Sequence, residues 1–279
     1  MIRSLLLLGA VAATVAACAG PGPGPSMTVA AAADPENALV AHVYAAGLRY
    51  YGTNARVEQS DDPLEALDTG AAGVAAGFTG RLLERFDPGS AARSAEGVYR
   101  AMIGALPEGI AAGDYAPAAE DKPALAVTAA TARQWDSRDL SALVERCARV
   151  SVGAATGSMT PDAVGQCALA PARELGTESM VFDALLAGKV TAVWTTTAST
   201  AVPDDVVVLV DRKPALIPAE NVVALYRRNE LDQMQLRAIN EIAGVLDTAA
   251  LTGMLRSVRS GADPESVAEQ WLAENPLGR

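Results

Sequence analysis

Phe78, Thr79, Gly80 and Arg81 follow one another at the end of a small-residue run, AAGFTGR, and offer a ring, a hydroxyl, an unobstructed amide and a guanidinium. A ring face attracts a cation, and a guanidinium grips a carboxylate through two parallel hydrogen bonds. Together they stand at a strand end, where ligands sit in open α/β sheets. Trp194, Thr195 and Thr196 end a second apolar run, KVTAVWTTT, in the same way, and Glu220 and Asn221 open a third, ENVVALYRR. Each feature also has a bland reading: threonines in series favour strands, and Arg81 with Glu220 can form an exposed ion pair. A hydrolytic centre needs a nucleophile with a base. The single histidine, His42, lies inside the helical pattern ENALVAHVYAAGLRYYG, no GxSxG occurs, and Asp62, Asp247 and Asp263 stand at helix starts where capping accounts for them. The expectation is a protein without catalysis, bound metal or cofactor.

The three cysteines divide by position. Cys18 ends MIRSLLLLGAVAATVAAC, a basic residue followed by an uncharged apolar run, which is the layout of an export signal and too short for a comfortable membrane span. VAAC, residues 15–18, resembles the lipobox of bacterial lipoproteins, in which the cysteine is acylated and becomes the first mature residue. Cleavage of an ordinary signal peptide near Ala17 is the alternative. The AGPGPGPS that follows has no means of packing and reads as a tether. The expected order is a signal peptide over 1–17, a lipid-anchored Pro/Gly tether over 18–26 and a folded part from 27, held at the outer face of the cytoplasmic membrane. Cys147 and Cys167 remain as an even pair in an oxidising compartment. A disulfide between them is the first expectation, and two separate buried thiols the second.

A net charge of −11 disfavours nucleic acid and anionic membrane surfaces as partners. Half of the 279 residues are hydrophobic, enough for one large or two medium lobes. The elements that must position the candidate residues alternate. MTVAAA, ARVEQ and GVAAGF read as strands separated by the helix ENALVAHVYAAGLRYYG, with its stripe of Leu39, Val43, Ala46 and Tyr50, and by the short DPLEALDTG. That is the start of a parallel sheet. Residues 82–119 read as mostly helical, with loops near 87–90 and 107–113. ALAVT, VSVGAA, KVTAVWTTT, DDVVVLVD and ENVVALYRR read as strands, MTPDAVGQC as a helix beginning at Pro161, and the chain from Leu231 as three helices. EALDTGAAGVAAGFT and DALLAGKVTAVWTT share one plan, so two α/β lobes are expected, joined by two crossing strands and holding a ligand where strand ends meet.

Several runs resemble the extracytoplasmic solute-binding proteins of ABC transporters for glycine betaine, choline and related osmoprotectants, of the mycobacterial or related actinobacterial type. ALDTGAAGVAAGFTGR is similar to that family's helix-Gly-strand segment with its aromatic-Thr-Gly turn. ALAVTAATARQW is similar to its first crossing strand, ENVVALYRRNEL to its returning strand and LDTAALTGMLRSVRSGADPESVAEQWLAENPLG to its closing helices. The resemblance spans nearly the whole chain after the tether. It implies a type II periplasmic-binding-protein-like α/β clamshell with lobe 1 over 27–123 plus 220–279 and lobe 2 over 124–219. It also implies a monomer that passes a small solute to ABC permease subunits.

In the family an aromatic cage surrounds a quaternary ammonium, while basic residues and a hydroxyl hold a carboxylate. This sequence departs from that pattern. Arg81 stands where a second threonine is usual, Ala32 where a lysine is frequent, Pro123 where an aromatic is common, and Glu220 where an aromatic precedes Asn221. The resemblance implies ligand contacts from Phe78, Thr79, Arg81, Trp194, Thr195, Thr196, Glu220 and Asn221. The departures suggest that Arg81 takes an anion while Glu220, with Asp34 or Glu36, holds a ligand cation by hydrogen bonds, which suits an amine that can donate. A lipoprotein of the same fold serving as an envelope interaction or sensory module is the alternative.

Overall fold

The computed structural model describes residues 26–278. The export signal, Cys18 and nearly all of the tether lie outside the described residues. In chain order the elements are β1 (Met27–Ala31), α1 (Pro35–Tyr50), β2 (Ala55–Gln59), α2 (Pro63–Asp68), β3 (Val74–Phe78), α3 (Thr79–Phe86), α4 (Ala95–Ala105), β4 (Ile110–Ala112), β5 (Pro123–Thr128), α5 (Ala129–Trp135), α6 (Leu140–Val144) and β6 (Val152–Ala154). They continue with β7 (Ala163–Val164), β8 (Cys167–Ala168), β9 (Arg173–Glu174), α7 (Glu178–Leu186), β10 (Ala192–Thr196), β11 (Val206–Val208), β12 (Val222–Arg227), α8 (Gln233–Val245), α9 (Thr248–Arg259) and α10 (Pro264–Glu274).

Two five-stranded sheets organise the chain. The first runs β2-β1-β3-β12-β4 and the second, written in the matching direction, β9-β6-β10-β5-β11. In both, the first two pairings are parallel and the last two antiparallel, so that only the fourth strand, β12 or β5, is reversed. The two halves therefore share one plan, as the paired sequence runs suggest. In each half a helix ends at a glycine of positive φ, Gly70 (78°) or Gly188 (68°), just before the central strand β3 or β10. The chain crosses between sheets twice, and the crossings touch each other through a bridge between Glu120 and Asn221.

Strand periodicity of two distributes side chains to both faces of each sheet. Val29, Val74, Ala76, Val222 and Ala224 pack toward α1, α8, α9 and α10, while Ala30, Ala75, Val223 and Leu225 pack toward α2, α3 and α4. In the second sheet Leu125, Val127 and Trp194 face α5 and α6, and Ala126 and Val193 face α7. Each buried Val or Leu contributes about 1.5–3 kcal/mol. Helix α1 is buried from Asn37 to Leu48 except at partly exposed His42, because it is wedged between the first sheet and the closing helices. Its anticipated stripe is therefore too narrow a description, and Tyr50 at its end is half exposed.

Three further expectations change. The strand ending in Phe78 passes directly into α3, so Thr79, Gly80 and Arg81 form a first helical turn. The 107–113 stretch holds β4, which pairs with β12. The segment after Pro161 is the hairpin β7-β8 and not a helix. Val164 and Cys167 are partners across it and Gly165, at φ 59°, makes the turn. The hairpin is fastened by the Cys147–Cys167 disulfide, so the pair is bonded as first expected.

Candidate functional site

The site grows from the β3-α3 junction. An α-helix leaves its first amides without intrahelical partners, and a carboxylate placed there is favoured by hydrogen bonds and by the helix dipole. Glu220 fills this role: its Oε2 accepts from the amides of Gly80 (3.1 Å) and Arg81 (3.0 Å). Only glycine allows it, because a Cβ at residue 80 would lie 2.6 Å from the Ala219 carbonyl oxygen and 2.7 Å from the Glu220 carboxylate. Beside it, Thr79 and Asn221 clasp the two strands. The Thr79 amide donates to the Asn221 carbonyl at 2.9 Å, and the Asn221 amide donates to Thr79 Oγ1 at 3.0 Å. The Asn221 side-chain amide then donates to the carbonyls of Ala116 and Ala119.

The Arg81 side chain folds back over Phe78, its guanidinium carbon 4.4 Å from the ring centroid. Nη2 donates to Glu36 Oε2 at 3.1 Å and lies 3.9 Å from Asp121 Oδ2. Glu36 comes from the first turn of α1 and Asp121 from the first crossing, so three separate segments converge on one guanidinium. Asp121 also reaches the second half, where its Oδ1 accepts from the Ala198 amide, just past β10, at 2.8 Å. The cluster thus sits on the seam between the two sheets.

Its electrostatics follow from crowding. Three carboxylates, Glu36, Asp121 and Glu220, surround one guanidinium. Burial raises Glu36 to about 9, and the adjacent Asp121 adds to this by hydrogen bonding and charge, against the opposing pull of Arg81. Burial likewise raises Glu220 to about 7 despite Arg81 and the two amides. Burial works against the Arg81 charge, but Glu36, Glu220 and Asp121 more than offset it and its pKa is raised. Glu36 Oε1 is buried without a hydrogen-bond partner.

The residues anticipated from sequence therefore separate into groups. Phe78, Arg81 and Glu220 come together with Glu36 and Asp121. Thr79 and Asn221 are adjacent but fully enclosed, and their hydrogen bonds join strands. The anticipated ion pair of Arg81 with Glu220 is replaced by Arg81 with Glu36, while Glu220 binds the Arg81 backbone. Trp194 instead packs in the core of the second sheet. Thr195 is buried and donates to Glu178 Oε1 at 3.3 Å, and Thr196 is partly exposed at the end of β10. Asp34 is spent as the cap of α1, accepting from the Asn37 amide. His42 lies elsewhere on α1, near Asp263, Glu265 and Glu269, with burial lowering its pKa. Asp121 was missed; its signal was an acid in EDKP, immediately ahead of a strand, where a charge has no capping task.

Two α/β halves of one plan with a charged cluster on their seam define a bilobal solute-binding protein. Solved structures agree on the fold. A glycine betaine/carnitine/choline ABC transporter protein superposes with a TM-score of 0.73 at 17% identity, covering 90% of this chain and 98% of that one. Apo YehZ from Escherichia coli gives 0.68 at 17%, covering 90% and 99%. An ABC-transporter choline-binding protein in complex with choline gives 0.57 at 14%, covering 90% and 89%. No curated protein sequence is significantly similar to the chain. Residues 25–274 match the OpuAC family, the substrate-binding domain of ABC-type glycine betaine transport systems, and the chain belongs to that family. It is thus a substrate-binding protein of an ABC system, in a family of transport proteins and not of enzymes. Among the described residues no helix is long and apolar enough to cross a membrane.

Proposed function

We propose that the chain captures a small cationic solute at the seam cluster of Phe78, Arg81, Glu36 and Asp121 and delivers it to a membrane permease, working as a monomer without catalytic activity. The carrying observation is the convergence of α1, α3 and the first crossing on one guanidinium with more acid than base around it. Lobe 1 comprises 27–123 and 220–279 and lobe 2 comprises 124–219, so Asp121 lies where the lobes meet. Thr195 and Thr196 contribute from the far side as the lobes close. The export signal and VAAC support lipid attachment at Cys18 after removal of 1–17, which holds the folded part outside the cytoplasm on its Pro/Gly tether.

Thermal denaturation in the presence of candidate solutes tests this. A ligand at 100 times its dissociation constant stabilises by about 2.7 kcal/mol. A solute library that leaves the melting temperature unmoved throughout would count against solute capture. Metabolic labelling with a fatty acid, lost in Cys18→Ser, tests the anchor.

A further inference from the structure

Building on this solute-binding reading, we propose that the ligand carries an ammonium group with N–H bonds, a primary or secondary amine, which donates to the facing carboxylates of Glu36 and Asp121, and that quaternary ammonium compounds bind less well. Two independent observations carry it. The first is that the one ring at the cluster is occupied. Phe78 is 1% exposed and the Arg81 guanidinium covers its face, so a trimethylammonium finds no open ring against which to gain cation–π attraction. The second is an unfilled acceptor, because Glu36 Oε1 is buried and receives no hydrogen bond. A buried acceptor without a donor is costly; in the empty protein a proton on Glu36, hydrogen-bonded with Asp121, offsets that cost, and a ligand that donates takes the proton's place. A quaternary ammonium brings charge but no donor.

Charge balance points the same way. With Glu36, Asp121 and Glu220 all ionised against Arg81 alone, the cluster carries two uncompensated negative charges in a largely buried place. Such a cluster retains a proton unless a cation arrives. The groups facing Glu36 are Asp121 from the crossing and Arg81 from α3, with Glu220 behind Arg81. Asp34, on its own element, is turned to the α1 amides. Burial and Asp121 hold Glu36 at about 9, so near neutral pH the empty site keeps a proton on it. An entering ammonium replaces that proton, which leaves to solvent.

Matched pairs differing only in N-methylation give the test: ethanolamine against choline, and glycine against glycine betaine, titrated calorimetrically into the whole exported chain at pH 7.5 in phosphate and in HEPES, whose ionisation enthalpies differ. The expected result is about tenfold or greater preference for the unmethylated member of a pair, with a binding heat that changes between buffers because a proton is released. Glu36→Gln, close in shape, is expected to reduce the preference and remove the buffer dependence. Tighter binding of choline or glycine betaine than of its partner overturns the ligand class and leaves the solute-binding reading standing. Failure of all four compounds and of putrescine at millimolar concentration also overturns the ligand class. Solute capture itself falls only if an unbiased solute library also gives no thermal stabilisation.

Discussion

Glu220 shows how much a single position can carry. By sequence it resembles a free acid beside a candidate ligand, yet it is the N-terminal partner of α3, seated against a glycine that leaves room for it. Charged hydrogen bonds of this kind contribute about 1.5–3 kcal/mol. Glu220→Ala is therefore expected to lower unfolding free energy by about 2 kcal/mol in urea titrations. Gly80→Ala should cost about 1–3 kcal/mol through overpacking against the Ala219 carbonyl and the carboxylate. Equal stability of both variants and the parent would remove the capping role. Glu36 makes a separate prediction, about pH. Its pKa is raised from the ordinary 4.5 to about 9, so between those values the folded protein holds more protons than the unfolded chain. Stability contributed by neutral Glu36 is complete below pH 4.5 and is lost as pH rises through 9, with Glu220 adding the same trend up to about 7. The apo protein should melt at progressively lower temperature from pH 6 to 9, and Glu36→Gln should flatten that slope.

At the scale of elements, local signals were legible where the chain needs no partner to choose its conformation. Asp62, Asp247 and Asp263 were readable as caps because the motif is local, and each accepts from amides two or three residues ahead. The paired helix-Gly-strand runs revealed the doubled plan for the same reason. What stayed hidden depends on distant chain. β4 is three residues long and exists only because β12 lies beside it, and the hairpin after Pro161 competes with a helix start that Pro-Asp also signals. Trp194 illustrates the limit for the site. Strand periodicity places a residue on one of two faces, but which face is core and which is seam is settled by helices remote in sequence. The hairpin is also where a covalent tie matters most, since its strands are two residues each. The Cys147–Cys167 bond closes a separation of 20 residues, for which unfolded-chain entropy gives about 3 kcal/mol. Replacing both cysteines by serine should lower stability by up to that amount, read by chemical denaturation. Protection of amides in 155–175 from hydrogen exchange should fall more than protection in β3.

Across the whole molecule, the proposed ligand cluster and the joint between the two sheets share Asp121. Asp121 turns to Arg81, whereas Lys122 turns away, its Nζ 3.3 Å from Asp211 Oδ2. Thr197 braces the crossing by accepting from the Lys122 amide and donating to the Glu120 carbonyl. Asp121 links the two, with one oxygen on the Ala198 amide beyond β10 and the other facing Arg81. A ligand that engages Asp121 must then alter the balance of forces on the exit of β10, and the position of one half relative to the other becomes coupled to occupancy. The radius of gyration from small-angle scattering should fall when the parent protein is saturated with its ligand. Asp121→Ala should lose about 1–3 kcal/mol of stability through the unpaired Ala198 amide, keep its near-ultraviolet circular dichroism, and lose both high-affinity binding and the contraction. A parent protein that binds tightly with no change in radius would separate capture from hinge closure and overturn the coupling through Asp121.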